Sequence, residues 1–186
     1  QYSLDGVNFQ TGNEFLGLAA GSYTITIEDF NKCSTTKTVT IGEPNLLTAV
    51  ITVKDASCSD SADGEILVAV SGGTPAYQYS LDGVNYQPSN EFIGLVSGTY
   101  TVTVQDANSC VATETAIINA PDALTALVVS SDISCNGAAD GSITVTATGG
   151  VPDYQYALDG VSFQGGNIFN NLTEGSYTVT VRDTNG

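Results

Sequence analysis

Tyr77-Gln-Tyr-Ser-Leu-Asp-Gly-Val-Asn-Tyr-Gln87 occurs three times in the chain at one fixed interval. Its other copies are Gln1-Tyr-Ser-Leu-Asp-Gly-Val-Asn-Phe-Gln10 and Tyr154-Gln-Tyr-Ala-Leu-Asp-Gly-Val-Ser-Phe-Gln164. Tyr2, Tyr79 and Tyr156 stand 77 residues apart, as do Cys33 and Cys110, Cys58 and Cys135, and Pro44 and Pro121, without a gap. A fixed period this long denotes an array of whole small domains, because a solenoid of two-element units repeats every 20 to 50 residues or so. Within the stretch, Tyr77, Tyr79 and Leu81 alternate with Gln78, Ser80 and Asp82, the period-two pattern of a half-buried strand. Asp82-Gly83 then predicts a tight two-residue hairpin turn, after which Val84 and Tyr86 resume the alternation. On this reading Asp5, Asp82 and Asp159 are turn residues rather than ligands.

Working outward over one full period, Leu47–Val53 and Glu65–Val70 read as strands, the second ended by Ser71-Gly-Gly-Thr-Pro75. A short apolar piece, Phe92–Leu95, precedes a glycine turn and the strand Thr99–Gln105, and Ala112–Ile118 closes the unit before Pro121. Seven short strands, turn signals every eight to twelve residues and no helical periodicity predict an all-β fold: tandem immunoglobulin-like antiparallel β-sandwich domains with a 77-residue period. The motif Leu18-x-x-Gly21-x-Tyr23 recurs as Leu95-x-x-Gly98-x-Tyr100 and Leu172-x-x-Gly175-x-Tyr177. A Leu, a Gly turn and a Tyr opening a penultimate strand resemble a tyrosine corner, which assigns Tyr23, Tyr100 and Tyr177 a structural role. The proline breakers divide the chain into residues 1–44, the end of a first repeat, 45–121, a complete second, and 122–186, most of a third; breaks near 58 and 135 are the alternative phasing. The pattern is already under way at Gln1, and it calls for a further cysteine after Asn185-Gly186, as expected of a window on a longer array. A unit of this size buries only about 60% of its unfolded surface, so cross-links or neighbours would help it.

Twenty acidic residues face four basic ones, a formal charge of −16, which argues against nucleic acid and anionic lipid as partners. No apolar run is long enough to cross a bilayer as a helix, so no membrane insertion is expected. There is no His, and no Ser or Cys has a visible base partner, so no enzyme is expected.

The four cysteines Cys33, Cys58, Cys110 and Cys135 fit structural disulfides in an oxidising compartment. With alternating strands, Cys58 and Cys110 fall at opposite ends of one sandwich, roughly 23 Å apart at 3.3 Å per residue, beyond the ~7 Å between Cα atoms that a bridge spans. A hairpin around Glu43-Pro44-Asn45 would instead join Cys33 to Cys58 and, by symmetry, Cys110 to Cys135; the bond within a unit, Cys58 to Cys110, is the other connectivity. No cofactor is expected apart from calcium, which oxygen ligands suit. A shared calcium site would rest on Asp29, Asp63, Asp106 and Asp140, residues that read more simply as turn and cap positions.

The string Cys135-x-Gly-x-x-Asp-Gly-Ser-Ile-Thr-Val-x-Ala-x-Gly-Gly-x-Pro-x-Tyr-x-Tyr156, continued by Leu172-x-x-Gly-x-Tyr-Thr-Val-x-Val-x-Asp-x-Asn-Gly186, resembles the SprB repeat of giant gliding adhesins on the surface of flavobacteria. That resemblance implies type IX secretion, an extracellular location on the outer face of the outer membrane, and a part in surface attachment and gliding motility. The partners it implies are neighbouring repeats of the same chain and the gliding or secretion machinery. Two functions follow as expectations: structural stalk repeats that extend an adhesive filament and transmit force, or repeats that themselves bind extracellular polysaccharide weakly and multivalently.

Overall fold

The computed structural model describes residues 1–186, which divide into two compact units, Gln1–Leu46 and Leu47–Gly186. In the first, β1 (Tyr2–Ser3), β2 (Gly21–Glu28) and β3 (Ser34–Ile41) form one antiparallel sheet in that order. β2 and β3 pair along eight positions, from Gly21 opposite Ile41 to Glu28 opposite Ser34. No hydrophobic side chain of this unit is fully buried, because a single sheet has nothing to close over its apolar face.

The second unit opens with a complete sandwich. β4 (Thr48–Lys54), β5 (Gly64–Ser71) and β7 (Glu91–Leu95) make one sheet, in the order β4-β5-β7. β6 (Gln78–Ser80), β8 (Gly98–Gln105) and β9 (Val111–Ile118) make the other, in the order β6-β8-β9. Alternation decides the inner faces: Ile66 and Val68 of β5 and Val102 and Val104 of β8 are fully buried, and Tyr79, Ala116 and Ile118 pack with them. The first and last strands run side by side in the same direction. Leu47 lies beside Gly73 and Asp106 at the upstream pole, and Ala56 N donates to Asn119 O at 2.9 Å at the downstream pole.

The same pattern begins again with β10 (Thr125–Ser131), β11 (Gly141–Thr148), β12 (Gln155–Ala157), β13 (Ile168–Leu172) and β14 (Thr180–Arg182). β10-β11-β13 and β12-β14 enclose a second, smaller core around Ile143, Val145 and Tyr156.

Three expectations are corrected here. The Asp-Gly pair does not make a two-residue hairpin turn, and the full repeat has six strands rather than seven. β6 takes β8 as its ladder partner, and Tyr79 meets the returning chain only at an isolated bridge with Gln87. Among the turn residues only the glycine, Gly83, has positive φ, whereas the tight primed turn needs it at both central positions. The Asp82 carboxylate instead accepts from Val84 N at 2.8 Å and Asn85 N at 2.7 Å, which withdraws those groups from any ladder. Nor do the strands flanking each proline linker form a hairpin: β3 pairs only with β2, β4 pairs with β5, and likewise β9 pairs with β8 and β10 with β11.

Candidate functional site at the poles of the repeats

Each repeat concentrates its polar side chains at its poles. The upstream pole is built on Asp106, only 5% exposed. Its carboxylate accepts from Thr74 N across the sandwich at 2.8 Å, and from Asn108 N at 2.9 Å and Cys110 N at 2.8 Å in its own turn. Asp183 repeats the arrangement, accepting from Val151 N and Asn185 N. The amide of Thr74 is the main reason that Asp106 titrates below the ordinary carboxylate range, and that of Val151 does the same for Asp183. Gly73 and Gly150 stand where a side chain would collide with these carboxylates: an added Cβ would lie 2.9 Å from Asp106 Oδ2 and 2.6 Å from Asp183 Oδ2. Tyr77 and Tyr154 brace the same turns by donating to Gly72 O and Gly149 O, both at 2.7 Å.

At the downstream pole the hydroxyl of Tyr100 donates to Val96 O at 2.9 Å. Tyr23 reaches Ala19 O at 2.9 Å, and Tyr177 reaches Thr173 O at 3.0 Å. Each phenol thus ties its own segment to the turn four residues before it, at the start of β2 for Tyr23 and of β8 for Tyr100 and three residues ahead of β14 for Tyr177, a bond of the kind made in a tyrosine corner. Asp63 accepts from Ser57 N and Asp140 from Ser134 N, both at 3.0 Å; the Ser57 amide holds Asp63 below the usual range, and the Ser134 side chain, then its amide, does so for Asp140.

The four aspartates proposed for calcium are therefore not brought together. Asp63 lies at the downstream pole and Asp106 at the upstream pole of one sandwich, Asp140 caps its own loop, and Asp29 accepts from Cys33 N at 2.8 Å. No three acidic or sulfur side chains form a metal-sized cluster. The four cysteines are free thiols in the structure. Cys58 follows Ala56 at the downstream pole and Cys110 follows Asp106 at the upstream one, so the length of β9, roughly 26 Å at 3.3 Å per residue, separates them. Cys110 and Cys135 lack the β9–β10 hairpin that was expected to join them.

Between the two repeats of the second unit lies a cleft of about 570 Å³ bordered by Cys58, Asp60, Asp122, Phe163, Arg182 and Asp183. The Asn185 side-chain amide donates to Ser57 O across it, and Gly150 N donates to Asp122 O at 2.7 Å, fixing the linker against the following repeat. The Arg182 guanidinium lies 3.9 Å over the Phe163 ring and donates to Gln155 Oε1, so the one basic side chain here is held flat within its own repeat.

Asp183, the burial of Asp106 and the Tyr77 and Tyr154 latches escaped the sequence reading, which gives Asp106 only as a turn and cap position. Their signal was their recurrence at the 77-residue interval in Gly-Gly-x-Pro-x-Tyr and Asp-x-Asn; the cross-sandwich partners of the aspartates lie far along the chain, whereas the tyrosine latches close only five residues back.

Fold and poles define a class: tandem β-sandwich repeats whose polar side chains mostly secure their own turns. The family model of the SprB repeat matches residues 50–85 and 127–163, one stretch in each repeat of the second unit. Those two stretches are similar to the SprB repeat, a repeat associated with cell-surface adhesins. No curated protein matches the chain.

Proposed function

We propose that these repeats are stalk modules of a large extracellular adhesin, which extend an adhesive filament from the cell surface and carry tension along it during attachment and gliding. The observation that supports this reading is the path of the chain. It enters the complete repeat at Leu47, leaves beyond Asn119 at the opposite pole, and is fastened at once to the next repeat through Asp122 and Gly150 and through Ser57 and Asn185. Repeats joined in this way add length with every copy. Neighbouring repeats are then the main partners, and the secretion and gliding machinery acts on the array as a whole. A surface with a charge of −16 keeps adjacent filaments apart at low ionic strength.

The reading is tested by the stiffness of the junction. With Cys33 and Cys58 replaced by serine, spin labels on Cys110 and Cys135 should give one narrow distance distribution in pulsed electron resonance. A broad distribution, as from freely hinged beads, would rule out a stiff stalk. Retention of the chain on polysaccharide resins, lost on mutating surface residues, would favour the binding-module alternative.

A further inference from the structure

An Asp-Gly pair is a point at which a chain can rearrange its own backbone, because the glycine amide meets no side chain on its way to the aspartate carboxyl carbon. This chain has five such pairs. Two of them, Asp63-Gly64 and Asp140-Gly141, lead into β5 and β11, where the glycines are buried and paired with Leu95 and Leu172. The other three, Asp5-Gly6, Asp82-Gly83 and Asp159-Gly160, sit in the three copies of one loop. All three loops face solvent to the same extent, since Val7, Val84 and Val161 beside the pairs are 78%, 77% and 81% exposed.

In two copies the pair is locked. Ser80 Oγ, fully buried, accepts from Gly83 N at 2.9 Å and donates to Asp82 Oδ1 at 2.8 Å, so the amide that would attack is engaged elsewhere. Asn85 Nδ2 holds the other carboxylate oxygen at 2.6 Å. Ser3 and Asn8 secure Gly6 N and Asp5 at the same distances. In the third copy Ala157 and Ser162 take the places of this serine and this asparagine. Ala157 is as buried as Ser80 but has no hydroxyl, so Gly160 N loses its acceptor. The bonds that remain, from Val161 N and Ser162 N, both go to Asp159 Oδ1. A Cβ on Gly160 would come no nearer to the rest of the fold than 3.8 Å, from Thr180 Oγ1, so the glycine is not crowded.

We propose that Asp159-Gly160 is a site of spontaneous isoaspartate formation, a covalent modification from which the equivalent pairs at 5 and 82 are protected. Gly160 N attacks Asp159 Cγ. The N–Cγ bond forms, the Cγ–OH bond breaks, and hydroxyl and amide proton leave as water. Water then opens the cyclic imide at either carbonyl. Addition at Cγ restores aspartate, whereas addition at the former main-chain carbonyl leaves Cγ joined to Gly160 N and the α-carboxyl free. No atom is gained or lost overall, and water is the only co-reactant. The product keeps its charge on a main chain one carbon longer, and the carboxyl carbon that closed the loop becomes a link of the backbone.

The test is storage of the 186-residue chain in warm, mildly acidic buffer, followed by peptide mapping with fragmentation that tells isoaspartate from aspartate. Methyl transfer from S-adenosylmethionine by an isoaspartyl methyltransferase counts the same product. Isoaspartate should build up at 159 at least about fivefold faster than at 5 or 82, the factor that one net hydrogen bond supplies. The mass stays constant, which separates this change from loss of ammonia at Asn136-Gly137 or Asn185-Gly186. Ala157→Ser should slow the reaction at 159, and Ser80→Ala, a change the third copy already accommodates, should speed it at 82. In denaturant, where all three pairs share the sequence Leu-Asp-Gly-Val, the rates should converge. Equal accumulation at the three pairs in the folded chain, rates indifferent to both substitutions, or a difference that persists in denaturant would overturn the proposal.

Discussion

β4 and β10 are the same strand in successive repeats, yet β4 buries Ala49 and half-buries Ile51 and Val53, while every residue of β10 is exposed. Their sequences account for only part of this, since the counterparts of Ala49, Ile51 and Val53 are Ala126, Val128 and Ser130, and two of the three stay apolar. What differs is β9, which lies beside β4, whereas the residues that the 77-residue register would place beside β10 begin beyond Gly186. Burial of the first strand in this fold is therefore conferred by the last one, 63 residues later, and the sandwich closes only when both are in place.

The sharpest way to break this comparison is to truncate the closing strand. Ile118→Ala should cost about 2–5 kcal/mol in denaturant unfolding of the complete repeat, whereas Ile41→Ala, at the matching place in the bare sheet, should leave the unfolding of unit 1 within about 0.5 kcal/mol of wild type. Equal losses would show that β3 is already packed. Next in size is Gly64→Ala, whose new methyl would meet Ile118 at 2.8 Å and Leu95 O at 2.9 Å and should destabilise by about 1–3 kcal/mol. Gly141→Ala should cost less, because without a counterpart of Ile118 its closest neighbour is Leu172 O at 3.0 Å.

A smaller effect is expected at the corner tyrosines. Tyr100→Phe should lose about 1 kcal/mol through the bond to Val96 O. Tyr177→Phe, at a residue 38% exposed, should lose less by the same unfolding measurement.

The smallest effect separates the hairpin loops. Asp82 collects Ser80, Val84 and both nitrogens of Asn85, while Asp159, facing Ala157 and Ser162, keeps only Val161 N and Ser162 N. The backbone amide of Ser162 is the largest influence holding Asp159 down, to about 2, and the richer clamp, led by the Asn85 amide, holds Asp82 lower still. Both folded values are depressed. The stability they contribute is therefore complete above the unfolded value near 4 and is lost as pH falls through the folded one. Carboxylate NMR should show Asp159 protonating first on acidification, and the opposite order would refute the clamp.

Much of this was legible from one chain. Period-two alternation placed the edges of β4, β5, β8 and β9 within one residue, because those strands have one face inside and one outside. The Leu-x-x-Gly-x-Tyr motif led to phenols whose acceptors lie four residues away, and local bonds of that kind leave a local signature. Asp106 was legible only as a turn residue, because its partner Thr74 is reached through the fold. The hairpin foreseen around Pro44 failed for a related reason: proximity in sequence suggested pairing, but β4 finds its partners in β5 and β9 downstream. The Asp-Gly turn misled because Asp82 bonds its own loop and spares the residue positive φ.

The parallel course of β4 and β9 has a mechanical consequence. Tension along an array pulls Leu47 one way and Asn119 the other, so the two terminal strands are dragged past each other along their length. Contacts between them are then loaded together rather than peeled open one at a time, and rupture must break them nearly at once. Reversing the direction of one strand while keeping every contact would produce a unit of equal equilibrium stability that unzips under a much weaker pull.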